Sequence, residues 1–173
     1  QTGKNIIIFG NGGSASTASH LASDFNKGIS LGKSKRFKVI SLCDNIPTIM
    51  AISNDQSYDD IFLIQIQNFL KIDDVVVGIS GSGNSINVLK AIEYANQQGA
   101  TTIGFTGYNG GKLKEIVDII NVPPEGVAIT NTPFMWNPSD DQFYFKKNSK
   151  IFEKIAKRYG LKSFFIRPRN LST

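Results

Sequence analysis

The residues that could do chemistry in this chain fall into two short Gly- and Ser-rich stretches and one His–Asp pair. The first stretch, Gly10-Asn11-Gly12-Gly13-Ser14-Ala15, follows the apolar run Asn5 to Phe9 and opens a helical pattern. Unpaired backbone N–H groups and the helix dipole at such a junction favour an anion. Read as G-x-G-x-x-A it also fits a dinucleotide fingerprint, with Asp44 after the second strand available to a ribose hydroxyl. A tight turn with no ligand is the plainer alternative. The second stretch is Ser80-Gly81-Ser82-Gly83-Asn84-Ser85. It places the hydroxyls of Ser80, Ser82 and Ser85 on a glycine-loosened turn, able to surround a phosphate with neutral donors. A dinucleotide fold does not require such a turn there, whereas a sugar-phosphate site does; a merely serine-rich loop is the alternative.

His20 and Asp24 are four residues apart in a helical stretch and so share one face. They could be two metal ligands or a proton-transfer pair, and otherwise a surface histidine with a helical neighbour. Asn54-Asp55 could bind sugar hydroxyls or cap the next helix. His20 is the only histidine, which excludes a three-His zinc site within one chain and obliges any catalytic triad to use it. The lone Cys43 excludes an intrachain disulfide and a Cys-rich zinc site.

The elements that must hold these residues alternate along the chain. Asn5 to Phe9, Phe37 to Leu42, Asp74 to Ile79, Thr101 to Phe105 and Asp118 to Val122 read as strands. Helical patterns occupy Ser14 to Asn26, Ile46 to Ser53, Asp59 to Leu70, Ile86 to Gln98 and Gly111 to Ile116. Apolar strands separated by helices predict a parallel sheet covered on both faces, a doubly wound α/β domain. Ligands of such a sheet bind beyond the carboxyl ends of its strands, where both turns lie. After Pro123-Pro124 the character changes. Glu125 to Lys147 reads as loop, Ser149 to Tyr159 as a helix and Leu161 to Ile166 as a short strand. We therefore read 1–124 as the α/β domain and 125–173 as a basic segment of different character.

The 173 residues are enough for one domain at roughly 150 residues each. Forty per cent hydrophobic and 19% charged residues describe a globular chain rather than a disordered one. The apolar runs are far shorter than the ~20 residues of a spanning helix. With no recognisable signal peptide either, the cytoplasm is the expected compartment. The net charge of +5 is uneven, because residues 141–173 carry nine basic and two acidic side chains. A solvated basic face explains that better than nucleic acid or a membrane surface.

Asn11-Gly12-Gly13-Ser14-Ala15 with His20 six residues after Ser14 resembles the SIS (sugar isomerase) domain, and within it the phosphoheptose isomerase family. The family pattern recurs at Ser53-Asn54-Asp55, at Gly78 to Ser85 followed by Asn87-Val88, and at Gly104-Phe105-Thr106-Gly107 with Gly110-Gly111-Lys112. These matches keep the family order over about residues 4–123 and disfavour the dinucleotide reading. The resemblance implies five parallel strands in a flavodoxin-like order and a homotetramer with sites at subunit interfaces. It implies interconversion of sedoheptulose 7-phosphate and glycero-manno-heptose 7-phosphate, supplying heptose for lipopolysaccharide or a capsule.

By the same resemblance, Ser80, Ser82 and Ser85, with Gly81 between them, would hold phosphate, with Ser14 close by. Asn11, Gly12, Gly13, Asn54 and Asp55 would contact the sugar. His20 would be a zinc ligand, and Asp24 stands where the family has a catalytic, metal-binding Glu. Isomerisation needs a base beside the carbonyl carbon and a group that stabilises the enediolate, and Asp24 and His20 are the candidates. The family's Gln-Glu-x-x-His motif has no match after Pro124. That departure carries a second reading, a non-enzymatic SIS module that binds a sugar phosphate for regulation or protein assembly.

Overall fold

The structure is a computed structural model that describes residues 3–121 and the backbone of 134–137 and 142–145. The chain divides into two compact units, 1–130 and 131–173. The first holds β1 (Ile6–Gly10), α1 (Gly13–Ser23), β2 (Val39–Ser41), α2 (Ile46–Asp55), α3 (Ile61–Phe69) and β3 (Val75–Ser80). It continues with α4 (Ile86–Gln97), β4 (Thr101–Thr106), α5 (Leu113–Ile116) and β5 (Ile119–Asn121). All five strands are parallel, in the order β2-β1-β3-β4-β5. This is the doubly wound arrangement that the alternating apolar runs predict, in the flavodoxin-like order that the family resemblance implies.

The two central strands explain why the runs are so apolar. Every residue of β3 and β4 is buried, and Ile7, Ile8 and Phe9 of β1 are nearly inaccessible. Phe9 stacks on Phe62 of α3 with ring centroids 4.9 Å apart. On α4, Val88, Ala91, Ile92 and Ala95 form the buried stripe, and Leu89 is only half-buried. Both faces of the sheet are covered, so neither can alternate polar with apolar.

The amino edge of the sheet is closed by two carboxylates, Asp74 buried and Asp118 exposed. Asp74 is fully buried and accepts from Asn5 N at 2.8 Å, Asn5 Nδ2 at 3.1 Å and Lys71 N at 3.0 Å, locking the entries of β1 and β3 together. Asp118 does the same for β4 by accepting from Thr102 N and Oγ1.

Two details depart from the sequence reading. The helix expected over Ser14 to Asn26 stops at Ser23 and widens into a π-helical turn at Asp24–Ile29. That turn carries Asn26 to the edge of β2, where its side chain donates to Val39 O and accepts from Val39 N. The segment Glu125 to Lys147, read as loop, contains β6 (Phe134–Asn137) and β7 (Gln142–Phe145), paired antiparallel with Trp136 opposite Phe143. Five aromatic residues in these eight positions give strong strand preference, and the turn-favouring Pro138-Ser139-Asp140-Asp141 separates the runs in sequence. Runs of only four residues are too short to show a period. The helix expected at Ser149 to Tyr159 and the strand at Leu161 to Ile166 lie outside the described residues. Among the described residues no helix is long and apolar enough to cross a membrane.

Asp74→Ala strips three donors of a buried partner. It should cost about 3 kcal/mol of unfolding free energy in urea titrations while leaving ligand binding at the opposite edge unchanged.

Candidate functional site

Strand order reverses between β1 and β3, because the chain leaves β1 toward one side of the sheet and returns through β3 on the other. The turns that follow these two strands therefore meet at the switch point. Gly10 and Ile79 are register partners at the last rungs of the ladder. A Cβ on Gly10 would lie 2.7 Å from Ile79 O and from Ser14 Cβ, so only glycine lets β1, β3 and α1 converge here. Cys43 also packs under this corner, its Sγ donating to Gly10 O at 3.4 Å. Burial pushes its thiol up from the ordinary value, with the neighbouring Asp44 adding to the shift against hydrogen bonds from Gly10 and Ser41. Cys43 is thus a protonated packing group rather than a nucleophile.

The first turn is closed by Ser14 N donating to Asn11 O at 2.9 Å. Gly12 caps α1 with no side-chain hydrogen bond and a φ of 54°, which favours glycine. Gly12 and Gly13 are exposed, and Asn11 and Ser14 half-buried. In the second turn Gly83 N donates to Ser80 O and Asn84 N to Ser82 Oγ. The helix that follows, α4, likewise has no side-chain cap at Ser85. By contrast α2 is capped by Asn45, which accepts from Thr48 N. Both turns thus deliver a helix N-terminus that no side chain caps, at the ends of two paired strands, which is how backbone builds an anion site.

The three serines of the second turn divide their work. Ser80 is buried, and its Oγ lies 2.9 Å from Ser85 Oγ. It also accepts from Ser85 N, so it braces the turn. With Ser80 as donor in this pair, the Ser85 hydroxyl proton is left for an outside acceptor. Ser82 is exposed and accepts from Asn84 N, which leaves its own proton to donate.

The Gly107–Lys112 loop clasps this turn from the β4 side. Gly107 N donates to Gly81 O, Leu113 N to Gly83 O and Lys112 N to Asn84 Oδ1. A Cβ on Gly83 would collide with the Gly110 carbonyl, and Gly83 sits at φ 66°. The Gly110-Gly111-Lys112 string of the sequence is thereby explained as the support of the phosphate-type turn. Thr106, the register partner of Ser80, is buried beside it, and its hydroxyl has no protein partner among the described residues.

The remaining candidates are placed less compactly. His20 Nε2 on α1 and Asp24 Oδ2 at the start of the π-helical turn are 3.4 Å apart, with His20 well exposed. His20 lies about 9 Å along the helix axis from Ser14. Asp44 is engaged by the hydroxyls of Ser19 and Ser41, which join α1 to the end of β2, so its carboxylate serves the scaffold. Asn54 and Asp55 are exposed at the end of α2 and hydrogen-bond to each other at 2.8 Å. Three residues on, Tyr58 is the group that reaches the first turn, its hydroxyl donating to Asn11 Oδ1 at 3.0 Å. Sequence reading missed Tyr58, which carries no motif, and gave Asn87 no role. Zinc takes three or four protein ligands. No cluster of three or more His, Cys, Asp or Glu occurs among the described residues. His20 and Asp24 alone do not fit that ion.

Known proteins share this architecture. The SIS domain profile matches residues 1–107. A probable phosphoheptose isomerase of Thermoplasma acidophilum is 45% identical over 130 residues, 75% of this chain and 71% of its own length. One from Thermoplasma volcanium is 41% identical over 118 residues, 68% of this chain and 60% of its own length. The solved phosphoheptose isomerase of Neisseria gonorrhoeae superposes with a TM-score of 0.65 at 32% identity, over 72% of this chain and 65% of that one. The chain thus spans between 60% and 71% of the length of these relatives.

Gly83→Ala should cost about 2–3 kcal/mol through backbone collision and strain. Thermal melts should show the loss, and titration with inorganic phosphate should show weaker binding, because the clasp on the second turn opens.

Proposed function

The chain belongs to the SIS domain family, within it to the phosphoheptose isomerases, and on that premise we propose that it is an aldose–ketose isomerase of a sugar phosphate. The observation that supports this most is the meeting, at one switch point, of two turns whose exposed groups are hydroxyls and backbone N–H. Such a site suits a phosphate at one end and a polyol at the other. Sedoheptulose 7-phosphate, interconverted with glycero-manno-heptose 7-phosphate, is the substrate we infer from the relatives' names. Heptose for lipopolysaccharide or a capsule is the corresponding product use.

In this reading Ser82 and Ser85 donate to the phosphate, Ser80 and Gly81 shape the turn, and Ser14 closes it from the other side. Gly12 and Gly13 offer backbone to the sugar, with Asn11, Asn54 and Asp55 at its rim. Asp24 takes the proton from carbon 1 of the ketose and returns it to carbon 2. The hydroxyl proton of oxygen 1 passes to oxygen 2 in the same conversion, and His20 is the carrier we assign to it. The enediolate between these steps bears negative charge and needs a donor beside it, which His20 can also be. A zinc ion would find two donors in His20 and Asp24 and would need at least one more from outside the described residues. A tetramer with the site completed across subunits is the assembly this reading favours.

Turnover of sedoheptulose 7-phosphate by the purified chain, assayed with added zinc and after chelation, tests the proposal. Asp24→Ala and His20→Ala should each lower kcat by roughly a hundredfold or more, and Ser82→Ala should raise KM about tenfold. Saturable binding of the sugar phosphate with no turnover under any metal condition would instead establish a non-enzymatic sugar-phosphate module. That second reading is favoured by one observation, the two-donor metal set.

A further inference from the structure

We propose that Asn87 is a positioning residue that sets the first turn against the second, with Tyr58 as its second arm; this rests on the sugar-phosphate reading of the site.

Asn87 is the second residue of α4, the helix that leaves the phosphate-type turn, and it is only 2% exposed. A buried amide in a helix is costly unless every polar atom is satisfied. Here it is. Its Oδ1 accepts from Asn11 Nδ2 at 2.9 Å, and its Nδ2 donates to Asn11 Oδ1 at 3.0 Å and to Tyr58 O at 3.4 Å. The direction of the whole network is forced by one atom. A backbone carbonyl can only accept, so Tyr58 O requires the NH2 of Asn87 on its side. That fixes the Asn87 oxygen toward Asn11 Nδ2, and it leaves the Asn11 oxygen to take the second proton. The Tyr58 hydroxyl then adds a further donor to the same Asn11 oxygen.

Three segments far apart in sequence are joined by this network: the first turn, the 3-10 turn Tyr58–Asp60 before α3, and the start of α4. The side chain of Asn11 is thereby spent on the protein, apart from one amide proton. What the first turn presents to a sugar is therefore mostly backbone, and its distance from the phosphate end is set by Asn87. The Tyr58 hydroxyl keeps a lone pair at the exposed rim, where a sugar hydroxyl can meet it. Asn87 and Tyr58 thus govern how long a polyol the site accepts beyond the phosphate, while the phosphate turn itself is braced independently by Ser80, Ser85 and the Gly107–Lys112 loop.

The test compares two probes, sedoheptulose 7-phosphate and inorganic phosphate, on the full chain by calorimetric titration. Asn87→Ala should weaken the sugar phosphate about tenfold and inorganic phosphate less than about twofold, and Tyr58→Phe should weaken the sugar phosphate about threefold. The double variant Asn11→Ala with Asn87→Ala should be no weaker than the worse single, because both remove one network. Equal losses for the two probes, or multiplied losses in the double variant, overturn the proposal. Tyr58 is exposed, so Tyr58→Phe keeps the test alive if Asn87→Ala does not fold. A wild-type chain that binds inorganic phosphate but not the sugar phosphate overturns the functional reading instead. The positioning is then decided on Asn11 itself, by exchange of its side-chain amide protons in NMR spectra. Exchange at least about tenfold faster in Asn87→Leu, which keeps the side-chain size but removes the acceptor of the Asn11 amide, supports the network, and an unchanged rate overturns it.

Discussion

The reversal of strand order between β1 and β3 is the constraint from which the rest of the site follows. A parallel sheet must send each connection across one of its faces, and a chain that winds both ways opens a crevice only where the direction changes. Two strands end there, and each is followed at once by a turn into a helix. The two turns need the other's backbone close by, which the Gly10–Ile79 rung allows only because Gly10 has no side chain. His20 and Asp24 stand further along the chain, and what the turns themselves present at the proposed phosphate end is backbone or a short hydroxyl. Long charged side chains are not required to reach it.

The two edges of the sheet share out stability and function accordingly. At the amino edge, buried Asp74 takes three hydrogen bonds and Asp118 takes two from Thr102, so these carboxylates are engaged by the strands they join. At the carboxyl edge the turns keep donors in reserve, in the Ser82 hydroxyl and in helix ends without side-chain caps. An edge built of satisfied carboxylates is rigid and repels anions, and an edge built of unspent donors attracts them. The polarity of the site is thus set by which end of each strand the glycines and serines occupy.

That division also explains what was legible in the sequence. The five strands, their parallel sense and both turns were readable because burial on both faces erases alternation, and because Gly and Ser cluster nowhere else so densely. The boundary of α1 was not, since no Gly or Pro interrupts Ser14 to Asn26 and the widening into a π turn accompanies nonlocal bonds from Asn26 to Val39. The β6–β7 hairpin was missed because strands of four residues are too short to display a period. Within the site, Ser82 and Ser85 were legible as donors from type and spacing. Tyr58 and Asn87 were not, because their role is a contact between segments separated by 29 and 76 residues. Spacing reports local geometry, and these two residues matter through nonlocal geometry.

In the proposed reading the second turn holds phosphate by hydroxyls and backbone N–H groups, which bears on how such a site discriminates. A site built on lysine or arginine gains most of its affinity from charge and accepts any phosphate of similar reach. Hydroxyls and backbone N–H groups gain theirs from direction, since each must meet an oxygen along a narrow range of angles. Affinity then depends on the turn being held still, which is why Ser80 is spent on Ser85 and why Asn84 is tied to both Ser82 and Lys112. It depends equally on the separation of the two turns, since a sugar phosphate spans both and a phosphate alone does not. On that proposal the site measures the length of its ligand, at the amide pair that joins half-buried Asn11 to buried Asn87.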